Sequence, residues 1–319
     1  MKHDPVSALP RHEVWRQMYR ANRYCRHLDQ KELNQRIRDI FVNMLRLTPE
    51  AKIGLPPVGS EGIKAMEVWT HVLEEMALRY GPHPNGFTHE IFHSEPFPDF
   101  VGELGRKAAN VIASKGLKSD NVFIKFGKAD HMRSLFEKGA LRVQPASYYA
   151  ISDHNGAIRD DELSLPLSFA LSREDIIKIV LNPQDVPDGR LERRVDVTYR
   201  AGTDYWLYCV TSAVEPRLFV DFQADSCVIV KDRERFQHLV ELQGAVKFPN
   251  TDHRRGKVIY VDPLLPSSAI IDVPVSKHFR YEYQREHRFL WKPKTPMNNL
   301  QYVDLELGTL EEIAELVVL

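Results

Sequence analysis

Gln284 and Glu286 are the side chains best suited to chemistry in this chain. They sit two residues apart in Tyr281-Glu282-Tyr283-Gln284-Arg285-Glu286-His287-Arg288-Phe289-Leu290-Trp291. This stretch is aromatic yet charged at nearly every second position, so it reads as a β-strand whose two faces differ in character. On that reading Glu282, Gln284, Glu286, Arg288 and Leu290 share one face, and Tyr281, Tyr283, Arg285, His287, Phe289 and Trp291 share the other. Two residues' rise sets the amide and the carboxylate about 7 Å apart, a spacing at which both can grip one polar ligand. The plainer alternative is a solvated edge strand whose charges discourage pairing with another chain.

Further polar side chains are spread along the C-terminal two thirds. They are Lys125 in Ile124-Lys125-Phe126-Gly127, the run Ser147-Tyr148-Tyr149, and the acidic run Arg159-Asp160-Asp161-Glu162. Each also has an ordinary use: Lys125 as an outward residue, the tyrosines as packing at a core edge, the acidic run as a solvated loop. No GxxxxGK[ST], strand-linked GxGxxG, HExxH or GxSxG occurs, which removes the usual support for P-loop, Rossmann, zincin and hydrolase-elbow chemistry. The 13 histidines form no metal-ligand pattern; His12, His27 and His131 fall within helical spacing, so no metal is expected. His253-Arg254-Arg255-Gly256-Lys257 reads as an exposed basic hairpin turn that could meet a phosphate.

The elements that must position these residues change character near residue 120. From Arg11 to Leu47 the spacing is helical with no Gly or Pro, and two helices broken near Asp29 fit it; further helices follow over 62–79 and 98–115. No strand is expected before residue 121, so 1–118 reads as an α-helical module. Within it Arg16, Arg20, Arg23 and His27 lie on one helix face, a solvated surface or a phosphate contact. After it, strands are expected at 122–126, 140–143, 195–199, 206–211, 226–230, 257–261 and 281–291. Helices are expected at 129–138, closed by Gly139, and at 173–177 and 233–242. Many strands with few helices predict an α+β fold, with 119–319 as its strand-rich body.

Composition excludes several classes. With 43 Lys+Arg against 44 Asp+Glu, the net charge of −1 gives no global pull toward nucleic acid or membrane. Cys25, Cys209 and Cys227 lack ligand spacing and suit a reducing compartment. No apolar run reaches the roughly 20 residues of a membrane span, and the first ten residues lack a signal-peptide core. A cytoplasmic protein is expected.

Taken in order, the polar segments resemble the ADP-ribosyltransferase fold, and more closely a widespread bacterial family of unknown-function domains related to it. The resemblance runs through Ile124-Lys125-Phe126-Gly127, Leu141 to Tyr149, Arg159-Asp160-Asp161-Glu162, Tyr208-Cys209-Val210-Thr211-Ser212, Leu218 to Val228 and Tyr283 to Phe289, covering roughly 121–295. It implies a mixed split sheet and a cleft that binds NAD as substrate and breaks its nicotinamide–ribose bond. Glu286 would stabilise the oxocarbenium-like transition state, and Gln284 would complete a Q-x-E pattern that orients the acceptor. Lys125, Phe126, Ser147, Tyr148, Tyr149 and Arg159 would bind the dinucleotide: Tyr148 or Tyr149 by stacking on nicotinamide, Lys125 and Arg159 by meeting ribose or phosphate. The implied setting is a bacterial toxin, toxin–antitoxin or anti-phage effector. Its acceptor would be a macromolecule, RNA, DNA or protein, and the helical module would bind substrate or a neutralising protein partner. An NAD glycohydrolase and a non-enzymatic nucleotide- or protein-binding module are the alternatives.

Overall fold

The structure, a computed structural model, describes residues 9–56, 60–81, 97–151, 156–171, 193–266 and 271–319. Helices α1 (Arg11–Ala21), α2 (Gln30–Met44) and α3 (Ser60–Tyr80) form the front. The break near Asp29 is a capping box: Glu32 N donates to Asp29 Oδ1 and Asp29 N to Glu32 Oε2, each at 2.8 Å. From there Leu33, Ile37, Ile40 and Met44 return at helical spacing and are buried against Tyr19, Val72 and Met76. A short hairpin, β1 (Arg46–Leu47) with β2 (Ile53–Gly54), follows. This corrects the expectation of no strand before residue 121; two residues per strand leave no readable alternation.

The arginine row that begins on α1 does not stand free. Arg16 and Arg20 each reach Glu74 at 2.6 Å, and Arg23 reaches Glu75 at 3.0 Å. Both glutamates are almost fully buried in α3. The arginines thus bond to carboxylates of their own chain while keeping 36–51% of their side chains exposed, and since α1 ends at Ala21, Arg23 and His27 lie beyond it and not on one helix face with Arg16 and Arg20.

The body is α+β. Its main sheet runs β13 (Val303–Glu306), β4 (Ala140–Pro145), β7 (Trp206–Thr211), β3 (Phe123–Gly127), β8 (Ser226–Val230), β14 (Ala314–Val318). Along its other edge β7 pairs for its full length with β12 (Glu286–Pro293), which pairs in turn with β9 (Thr251–Lys257). β4 meets β7 only at Trp206 and Leu207, and β3 meets it only at Thr211. The two therefore share one edge of β7 and diverge, leaving the sheet split over residues 208–210. A separate pair, β5 (Ser164–Leu171) and β6 (Arg193–Arg200), and a parallel pair, β10 (Ile259–Val261) and β11 (Ser276–His278), stand beside it.

Helices α5 (Ala129–Lys138) and α7 (Arg233–Lys247) cover one face around Phe123, Phe236, Phe289 and Trp291. α5 ends at Gly139 in the left-handed region (φ 64°), as expected; a Cβ there would stand 2.2 Å from Gly308 O. Helix α4 (Glu103–Ser114) packs Ala108 and Ile112 against Ile124, Cys227, Ile229 and Phe219 of the short α6 (Arg217–Asp221), so it joins the body's core and not the helical front. The front is tied to the body by Arg36, which holds both oxygens of Asp262 at 2.9 and 2.8 Å. The helix expected at 173–177 lies outside the described residues. The basic stretch 253–257 is part of strand β9 and not a turn, and the strand expected at 257–261 divides at Val258 into β9 and β10.

Candidate active site

Residues 281–284 depart from the expected strand. Phe279–Gln284 is a 3-10 turn, Arg285 takes a left-handed conformation (φ 43°), and the strand begins only at Glu286. The turn is held from outside the sheet. Asn43 at the end of α2 donates from Nδ2 to Phe279 O at 2.6 Å and accepts from Tyr283 N at 3.0 Å. His278 Nδ1 accepts from Arg280 N at the turn's start. Nor is β12 an edge strand: it lies between β7 and β9 and is buried on both faces. From Glu286 onward the expected alternation holds, with His287, Phe289 and Trp291 in the α7-side core and Glu286, Arg288 and Leu290 opposite.

Gln284 and Glu286 nonetheless converge. A cavity of about 420 Å³ is lined by Lys125 and Phe126 from β3, Tyr148 and Tyr149 from the 3-10 turn Ala146–Ala150, and Gln284 and Glu286. It opens where the sheet splits. Lys125 Nζ crosses the gap to donate to Cys209 O at 2.8 Å and lies 4.6 Å from the Tyr208 ring centroid. Its side chain thus serves a β7 carbonyl that no neighbouring strand reaches. Phe126 packs edge-on against Phe219, and the rings of Tyr148 and Tyr149 meet edge-to-face at 5.5 Å. Ser147 and Arg159 stand apart from the cavity lining. Ser147 Oγ donates to Asp204 Oδ2 at 2.6 Å to fix the turn after β4, while Arg159 is exposed and its carbonyl accepts from Tyr281 Oη.

Sequence reasoning missed the charges that surround Glu286. Lys277 Nζ donates to Glu286 Oε2 at 2.9 Å, lies 3.4 Å from Gln284 Oε1 and stands 3.6 Å from Glu162. Arg288 Nε donates to Glu286 Oε1 at 2.7 Å, and its Nη2 meets both oxygens of Glu162 at 2.8 and 2.7 Å. All four side chains are buried. Burial by itself would raise the Glu286 carboxyl, but Arg288 and Lys277 outweigh it and hold it below the usual carboxylate range. Burial likewise opposes the Lys277 ammonium, and Glu286, Glu162 and Asp160 outweigh it to hold that group charged. Lys125 differs: burial lowers its pKa, and among the described residues no carboxylate forms an ion pair with it. Glu286 N donates to Tyr260 Oη at 2.8 Å, and Gln284 Nε2 donates to Ala157 O at 2.9 Å. Glu162 belongs to the acidic run singled out in the sequence, and Arg288 shares the expected face of Glu286; Lys277 sits in Ser276-Lys277-His278, which carries no motif.

The arrangement can hold a polar, anionic ligand. Lys125 and Lys128 face its interior and rim, two tyrosine rings offer flat surfaces, and a fixed carboxylate and amide lie side by side. Among the described residues no group of three His, Cys, Asp or Glu is arranged to hold a metal ion, and no helix is long and apolar enough to cross a membrane. The chain has no significant match among known protein families, characterised proteins or solved structures.

Proposed function

We propose that the chain is an NAD-dependent ADP-ribosyltransferase of the split-sheet fold named above. The observation that carries this reading is convergence: Lys125, Phe126, Tyr148, Tyr149, Gln284 and Glu286, drawn from segments about 160 positions apart, line one cavity at a split in the sheet. In this reading Tyr148 or Tyr149 stacks on the nicotinamide ring, and Lys125 neutralises a phosphate of the dinucleotide. The C1′–N bond breaks with its electron pair leaving on neutral nicotinamide. Positive charge gathers on the ribose, Glu286 stabilises it in a site poor in water, and an acceptor oxygen or nitrogen bonds to C1′ with release of a proton.

A second reading has its own support. Lys277 and Arg288 already hold both oxygens of Glu286, and a paired carboxylate offers less to a cationic transition state than a free one. That pairing suits a nucleotide-binding module with no turnover. Glu286 keeps further lone pairs for a ribose hydroxyl, and for this reason we favour the enzyme. Incubation with NAD labelled in its adenylate half separates the outcomes. Label on a macromolecule supports the transferase, free ADP-ribose the glycohydrolase, and intact NAD bound without turnover the binding module.

A further inference from the structure

The basic stretch His253-Arg254-Arg255-Gly256-Lys257 has no part in the cavity above, yet as β9 it lies beside the strand that carries Glu286. Among the described residues β9 pairs with β12 alone, so its other edge is open. Arg255 and Lys257 share a face about 7 Å apart, a step close to that between successive phosphates of an extended nucleic-acid strand. Arg233 and Arg285 join them. After burial itself, it is Arg233, Arg255 and Lys257 that push the His287 imidazole down to about 4. Arg285 Nη1 lies 3.8 Å from Asp120, which also accepts from Lys257 at 2.9 Å. Four cations thus gather around Asp120 and Glu241 in a chain whose net charge is −1. The pairs are open to solvent, with the Lys257 side chain 64% and that of Arg255 40% exposed, and exposed pairs of this kind yield readily to competing anions.

A second cavity, of about 160 Å³, opens beneath these cations. Its lining shares Glu286 with the larger cavity and no other described residue. Its walls carry Asp120, Ser212, Tyr260 and Glu282, groups that accept from hydroxyl and exocyclic amino donors and repel a carboxylate. We propose that the patch and this cavity form the docking surface for a single-stranded nucleic acid, its phosphates on the cations and one unpaired nucleotide in the cavity. An acidic peptide would satisfy the cations, but it would meet Asp120 and Glu282 with like charge. A duplex would offer no unpaired nucleotide. The surface rests on the transferase reading for its purpose, as the acceptor site, but not for its detection.

The test is fluorescence anisotropy of the full chain with labelled single-stranded RNA and DNA oligonucleotides across a salt series, without NAD. With three phosphate contacts, from Arg255, Lys257 and Arg285, the log–log salt slope should be about −2 at ~0.7 per contact on single strands. R255E/K257E should weaken binding at least tenfold and flatten the slope by about 1.4 at ~0.7 per lost contact. R255A/K257A serves the same end should the reversed charges impair folding. R133E/R142E, the same charge change at exposed positions elsewhere, should leave binding nearly intact. Absence of binding by the unaltered chain, equal losses in R255E/K257E and R133E/R142E, or preference for an acidic peptide would overturn the proposal. Oligonucleotide binding without any NAD turnover would instead refute the transferase reading and leave the surface standing.

Discussion

At the scale of single residues, the site is defined less by Gln284 and Glu286 than by the cation between them. Lys277 was invisible in the sequence because a lysine in a three-residue strand has no distinguishing context; only the fold shows that it touches Glu286, Gln284 and Glu162 together. Removing one member of a buried ion network leaves its partners uncompensated, so Lys277→Met should lower stability by about 3–5 kcal/mol, measured by urea unfolding. A loss under 1 kcal/mol would mean that the ammonium is not anchored there. A second residue-level prediction concerns pH. Burial holds His287 down to about 4 from an ordinary 6.5, and the nearby cations add to it. The folded chain keeps this imidazole neutral where the unfolded chain protonates it. Its contribution to stability is therefore full above pH 6.5 and is lost as pH falls through about 4, at up to about 1.4 kcal/mol per pH unit for one proton. His278, also pushed down mainly by burial, to about 3, acts in the same direction, and Asp39, raised by burial to about 6, acts against both. His287→Phe, among Phe123 and Phe289, should give a shallower acid limb in melting temperature between pH 6.5 and 4. An unchanged limb would show that this imidazole is not the titrating group.

At the scale of elements, the sequence was legible where local pattern decides the outcome. The helix pair broken at Asp29 has a capping box, and α5 closes on Gly139 because only glycine fits a left-handed residue pressed against Gly308. Strands β3, β7 and β8 were expected close to their observed positions. It was illegible where distant contacts decide. Alternating aromatics in Tyr281-Glu282-Tyr283 fit a strand, but a helix 240 residues earlier supplies Asn43, whose amide satisfies the backbone of a 3-10 turn instead. Strands β13 and β14, four and five residues long, gave too weak a signal to be read. Asn43→Leu keeps the branched shape and removes both bonds, so it should free the turn that bears Gln284. Asn43→Asp retains the bond from Tyr283 N but not the one to Phe279 O, and should be intermediate. Amide hydrogen exchange over residues 279–285 measures this directly. Protection unchanged in Asn43→Leu would show that the sheet, not α2, fixes the turn.

At the scale of the molecule, the helical front and the strand-rich body share more than a linker. α4 belongs to the body's core, Arg36 grips Asp262, and Arg217 donates to Val42 O and Leu45 O while its guanidinium lies 4.0 Å from the Tyr283 ring centroid. The front therefore helps to shape the cavity, and its arginine row is engaged with Glu74 and Glu75. The surplus of positive charge that the sequence placed on α1 gathers instead around β9 and Arg285, beside Glu286. What was legible of the site is the set of residues that meet in the cavity; what was not is that Ser147 and Arg159 stand outside it and that two cations hold the key carboxylate. In the proposed reaction this cavity splits NAD by means of Glu286. Nicotinamide release from NAD by the purified chain measures it most directly. Turnover is expected in the unaltered protein, with a loss of two or more powers of ten in a folded Glu286→Gln variant that still binds NAD; equal turnover in the two proteins would rule out this role for Glu286.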